Sequence, residues 1–259
     1  MDIVVCVKRV PLIQEVDLEI DDSGIAVRQD DLAYVINAWD SYAVEEAVLL
    51  KETHGGTVTT ITVGGEEDEE VLTRCLAMGA DSAIRIDAGE QAMDSFVVSR
   101  ILARVIDGLE HDLILTGVQA EDDSQGLVGI MLAEHLGLPH ASVVTAVELE
   151  DSEATIQVEL NAGMKEVMKF QLPALLSIQT GINEPRYVSI MGIRKAAKID
   201  ITMMTLEDLA LSEDDLTVRT SVKEVFHPPE VEGAEILEGD PASVADEILR
   251  IVREKGVTV

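Results

Sequence analysis

The chain has 259 residues, 47% of them apolar but only 3% aromatic, enough to bury one large core built from Val, Ile, Leu, Ala and Met. Fifty acidic residues against nineteen basic ones give a formal charge of −31. That balance argues against a nucleic-acid surface or docking on an anionic membrane, since both depend on Lys and Arg.

Two readings of the acidity stand side by side: a high-salt or acid-tolerant cytoplasm, and an acidic surface that meets a basic partner. Cys6 and Cys75 lie far apart and the five histidines are scattered, so no metal site is expected. No apolar run approaches the roughly 20 residues of a membrane-spanning helix. Met1-Asp2-Ile3-Val4 places an acid where a secretory leader carries basic residues, so the expected location is the cytoplasm.

In chain order, residues 2–7 form a β-branched run that reads as a buried strand. Residues 39–53 read as an amphipathic helix with Ala43, Val44, Ala47 and Leu50 on one stripe. A strand over 57–63, a helix over 66–78, a strand over 82–86, a helix over 93–108 and a strand over 112–116 follow. The acidic run Glu66 to Glu70 falls in a first helical turn, where it complements the helix dipole. The next helix opens near Gly126 and stops at Gly137-Leu138-Pro139. Such alternation predicts an α/β fold: a mostly parallel sheet with helices on both faces.

Residues 142–150, 155–160 and 167–172 read as strands joined by acidic or Gly-containing turns, a β-rich, hairpin-like extension. The apolar run 173–178 is suited to rejoin the main sheet. These segments make 1–200 one nucleotide-binding α/β domain. From 201 the periodicity thins into loops, and an amphipathic helix over 242–255 closes the chain. A partner-embracing C-terminal arm over 201–259 fits that pattern, and so does a peripheral loop.

Ligands of open parallel sheets collect at the carboxyl ends of strands. The loops placed there are Cys6 to Lys8, the turn Asn37-Ala38-Trp39-Asp40, the turn at Val63, and a long segment. That segment runs Gly117-Val118-Gln119-Ala120-Glu121-Asp122-Asp123-Ser124-Gln125-Gly126-Leu127-Val128. It leads into a helix whose first N–H groups can hold a phosphate. Asp122 and Asp123 repel phosphate and fit better as ribose-hydroxyl acceptors or helix caps. Neither GxGxxG nor a P-loop is present.

Gly181 to Tyr187, with Asn183-Glu184-Pro185-Arg186-Tyr187 at its centre, is followed by Ile193-Arg194-Lys195-Ala196-Ala197-Lys198. Together with Val5 to Val10, Asn37 with Ala43-Val44-Glu45-Glu46-Ala47, Leu76 to Asp81, and the Gly117 to Asp123 loop, these motifs resemble those of electron-transferring flavoprotein β subunits. The resemblance covers roughly 1–198 in register and is specific as a composite. It implies a Rossmann-like, adenine-nucleotide-binding fold and a heterodimer with an α subunit that holds most of the FAD. Such a pair carries electrons from acyl-CoA or related dehydrogenases to a quinone oxidoreductase or another acceptor. The β subunit binds AMP in the common branch, or a second FAD that oxidises NADH in the electron-bifurcating branch.

Carried over by position, the nucleotide contacts fall on Cys6, Asn37 to Asp40, Val63 and Gly117 to Val128. Partner recognition falls on Ile190 as an apolar anchor, with Arg194, Lys195 and Lys198 around it. Ala38 and Trp39 replace the family's Pro and aromatic, and Ser124 replaces a third acid. The turn Asn161 to Lys165 lacks the acidic-Gly-Gly pattern. AMP and FAD both stay open on these departures.

Overall fold

The computed structural model describes residues 1–13, 16–30, 32–229, 233–234 and 236–256. Its strands are β1 (Asp2–Cys6), β2 (Arg9–Pro11), β3 (Tyr34–Ile36), β4 (Thr57–Val63), β5 (Ser82–Asp87), β6 (Leu113–Gly117), β7 (His140–Glu150), β8 (Glu153–Glu159), β9 (Lys165–Gln171), β10 (Ala174–Ile178) and β11 (Thr202–Thr205). Its helices are α1 (Ala38–His54), α2 (Glu69–Met78), α3 (Ser95–Ile106), α4 (Val128–Leu136), α5 (Ile190–Ala196) and α6 (Pro241–Glu254).

One nine-stranded sheet carries the fold, in the order β11-β5-β4-β1-β6-β10-β7-β8-β9. All neighbours from β11 to β7 pair in parallel, and β8 and β9 join antiparallel. This is the expected α/β architecture with helices on both faces. The alternation of β1 divides the core. Ile3, Val5 and Val7 point into the layer of α1 and α2, with Ala43, Val44, Leu72 and Cys75. Val4 and Cys6 point to the opposite layer of α3 and α4, with Val97, Ile101 and Leu132.

The run at 173–178 does rejoin the main sheet, as β10, buried along its whole length between β6 and β7. The chain after 200 is more structured than its thinning periodicity suggests. β11 pairs with β5, and Leu209 is buried in the α3/α4 layer. The signal was missed because Thr202-Met203-Met204-Thr205 shows no clean period of two. The small antiparallel pair β2–β3 was also missed, each strand being three residues long. Among the described residues, no helix is long and apolar enough to cross a membrane.

Candidate functional site

From β1 the chain builds outward to β4 and β5, and α3 then carries it across to β6 on the other side. The loops leaving β1 and β6 therefore diverge, and a crevice opens between them. A cavity of about 320 Å³ sits there. Of the predicted residues, Cys6, Asn37, Asp40, Val63, Gly117, Val118, Gln119, Ala120, Asp123, Gln125, Gly126, Leu127 and Val128 line it.

Ala38, Trp39, Glu121, Asp122 and Ser124 lie outside its wall. Trp39 turns away and donates its indole N–H to Gln179 Oε1 at 2.8 Å. Glu121 donates its backbone N–H to Asn37 Oδ1 at 3.1 Å. Asp122 binds Lys8 Nζ at 2.7 Å. Ser124 adopts a left-handed φ of 50° that shapes the loop. A further wall comes from the start of α3: Met93, Asp94, Ser95, Val98 and Leu102. Val98 and Leu102 have the helical spacing of core positions, while Met93, Asp94 and Ser95 are the loop, cap and first residue that begin the helix, so nothing local marks them as cavity wall.

The first turn of α1 cross-links the two diverging loops. Asn37, fully buried, donates Nδ2 to Gln119 O at 2.9 Å. Asp40 accepts the backbone N–H of Lys8 at 2.8 Å and that of Gly117 at 3.1 Å, one on each carboxylate oxygen. Burial raises the Asp40 carboxyl to about 7, against the opposing pull of those N–H groups. Burial, and then the neighbouring Asp40, push the Cys6 thiol up to about 12. Cys6 is therefore a neutral, small, apolar wall element.

Lys8 spans the mouth, with Nζ 2.7 Å from Asp122 Oδ1 and 2.9 Å from Asp123 Oδ2. Burial works against its charge, but the hydrogen bonds to both aspartates outweigh this and raise its pKa. Both acids are thus engaged by a cation. Asp123 also accepts from Gln125 N at 3.0 Å, and neither acid caps α4.

Leu127 precedes α4 and offers no side-chain cap, so the first-turn N–H groups stay available beside the cavity. Gly129 lets this helix end settle on the sheet. A Cβ there would lie 2.6 Å from Ser177 Oγ and 2.7 Å from Thr116 Oγ1. Those two hydroxyls bond each other at 2.9 Å beneath it. Val63, Met93, Val98 and Leu102 supply an apolar wall. An apolar wall beside an uncapped helix N-terminus suits a ligand with a flat apolar part and an anionic tail.

The predicted recognition residues form a separate feature. Ile190 opens the short helix α5, held by Ser189, whose Oγ accepts from Gly192 N at 3.0 Å. Ile190 is 70% exposed and Met191 81%. Arg194 and Lys195 occupy the last turn and Lys198 follows, all exposed. The helix over 190–196 sets Ile190 and Arg194 one turn apart on one face.

The family model described as electron transfer flavoprotein domain matches residues 25–209. The electron transfer flavoprotein subunit beta of Bacillus subtilis is 37% identical over 235 residues, 90% of this chain and 91% of that one. The subunit of the same name from Methylophilus methylotrophus is 37% identical over 261 residues, 98% of each chain. The caffeyl-CoA reductase-Etf complex subunit CarD of Acetobacterium woodii is 33% identical, over 99% of this chain and 100% of that one. With a matching family model over most of its length and β-subunit relatives along nearly all of it, the chain belongs to the electron transfer flavoprotein family, in its β-subunit branch.

Proposed function

We propose that this chain pairs in the cytoplasm with an electron-transferring flavoprotein α subunit, holds AMP in the crevice between β1 and β6, and helps seat the α subunit's FAD. The pair carries electrons from acyl-CoA or related dehydrogenases to a quinone oxidoreductase or another acceptor. Family membership supports the flavin and the two-chain assembly. The observation that carries AMP is the cavity itself. Its volume of about 320 Å³ lies at the small end of the roughly 300–1,000 Å³ typical of ligand pockets. A mononucleotide suits that space better than a flavin dinucleotide.

In this reading the amides at the start of α4 take the phosphate, and Val63, Val98 and Leu102 flank the base. Asn37 and Asp40 keep the two loops at a fixed separation. The flavin, when bound, accepts and releases the electrons, and this chain binds, orients and excludes water. Ile190, with Arg194, Lys195 and Lys198 around it, serves as the docking anchor for the redox partner. Of the chain beyond 201, β11, Leu209 and Leu216 pack on this chain's own sheet and α3/α4 layer, and the remainder serves as an arm around the α subunit; residues 230–232, 235 and 257–259 lie outside the described residues.

Mass spectrometry of nucleotides released from the purified two-chain complex tests the reading. One FAD and one AMP per heterodimer is the expected result. Two FAD and no AMP, with bleaching by NADH alone, would replace it with the electron-bifurcating branch and a second FAD in this cavity. Similarity along almost the whole chain to a subunit of a reductase–Etf complex makes that the alternative to test.

A further inference from the structure

Three of the motifs named above lie outside the cavity: Asn183 to Tyr187, Ala43 to Ala47, and Leu76 to Asp81. They meet on the body of helix α1. Arg186 grips Glu45 side on, with Nε 2.9 Å from Oε2 and Nη2 2.9 Å from Oε1. Its backbone N–H adds a bond of 3.0 Å to the same carboxylate. Its remaining amino group, Nη1, reaches Glu52 Oε1 at 2.8 Å, two helical turns further along. Asn183 donates Nδ2 to Glu46 Oε2 at 2.9 Å and to Tyr42 O at 3.1 Å. Lys51 on α1 holds Gly79 O at 2.6 Å and Asp81 at 2.9 Å, which fixes α1 to α2, and α2 carries α5.

These contacts have an uneven distribution. Between β10 and α5 the chain runs from 179 to 189 without helix or strand. Over 181–188, the hydrogen bonds tying it to the body come from Asn183 and Arg186 alone among the described residues. All of them land on one helix, α1, at Tyr42, Glu45, Glu46 and Glu52. The Glu45 side chain is only 4% exposed, so its charge has been taken out of water, and the fork of Arg186 is what compensates it. Lysine carries the same charge but lacks the planar fork and cannot hold Glu45 and Glu52 together.

We infer that Arg186, with Glu45 and Asn183, is a latch that ties the segment entering the docking helix α5 to α1 and so fixes α5 in one orientation on α2: these are positioning residues for the redox partner. The inference rests on the reading of Ile190 as the docking anchor, and the test separates the two. Hydrogen exchange of the intact two-chain complex is measured on wild type, Arg186→Lys, Glu45→Gln and Ile190→Ala. The same complexes are titrated as electron acceptors against an acyl-CoA dehydrogenase reduced with butyryl-CoA.

Arg186→Lys and Glu45→Gln are expected to speed exchange over 187–197 by about tenfold. They also raise the half-saturating concentration of the complex about tenfold, with the limiting rate within about twofold and flavin content unchanged. Unaltered exchange over 187–197 in both variants overturns the latch. Where either variant loses flavin, Glu52→Gln decides, because it removes only the solvent-side half of the fork. Exchange over 187–197 then rises about threefold with flavin intact, and no rise overturns the proposal. Ile190→Ala is expected to raise the half-saturating concentration while leaving exchange unchanged. If it does not, the docking reading fails, and exchange alone still decides the latch.

Discussion

At Asp40 two demands meet on one carboxylate. Its oxygens hold the backbone of Lys8 and Gly117, so the ionised form binds the loops best. Burial disfavours that same ionised form and lifts its pKa from the ordinary 3.8 to about 7. The folded state thus keeps a proton that the unfolded chain has released, and stability falls as pH rises between those two values. The contribution is fully present below about pH 4 and gone above about 7, on the order of 4 kcal/mol in total. Asp40→Asn removes this slope, so in urea unfolding the wild type is favoured over the variant more at pH 5.5 than at pH 8. Parallel curves for the two proteins would rule out Asp40 as the group responsible. Asn37 and Asp40 were legible in the sequence because they sit at a strand-to-helix turn where polar residues are conspicuous. Lys8 as the partner of Asp122 and Asp123 was not, because that contact joins residues 114 and 115 positions apart.

Helix α1 joins these observations. Its first turn ties the cavity loops together and its middle turns hold the docking segment. Its apolar stripe of Ala43, Val44, Ala47 and Leu50 was readable by period, and all four are buried. Glu45 and Glu46 in the same helix are buried too, which no hydropathy pattern predicts, since charged residues read as a solvent face. The short elements β2, β3, α5 and β11 escaped for another reason: three to seven residues do not complete enough periods to be told from a loop. Helix α6 has the opposite character. It is well capped by Asp240 and strongly amphipathic, yet none of its residues is buried and Ile248 and Leu249 are exposed. An arm that needs the α subunit to cover that face predicts the effect of ending the chain after His227. The melting midpoint of the free subunit stays within about 2 °C of the full chain, while co-purification with the α subunit is lost. A clear drop in the midpoint would mean that α6 packs on the body of this chain.

Taken whole, the molecule carries −31 charges on a core with almost no aromatic side chains. Composition alone indicated that core, and Ile, Leu and Val fill it on both faces of the sheet. Self-repulsion of this size is screened by salt, since the Debye length shrinks from about 30 Å at 0.01 M to about 3 Å at 1 M. Raising NaCl between those limits is expected to lift the melting midpoint by about 5 °C or more. A flat response would show that repulsion among the acidic groups does not limit the stability of the fold. The position of the cavity was legible, because chain direction fixes which loops leave the carboxyl ends of the strands. The rest of its wall was not, because the start of α3 and Lys8 reach it from distant parts of the sequence.

The place of β10 has a consequence for synthesis. Its neighbours β6 and β7, and the entire β8–β9 hairpin, are all translated before it. A nascent chain therefore leaves the ribosome with two half-sheets and a vacant slot between them, and they can join only after residue 178 has cleared the exit tunnel. Through that interval the buried faces of β6 and β7 lack their central neighbour, which makes it the stage at which a chaperone has most to protect.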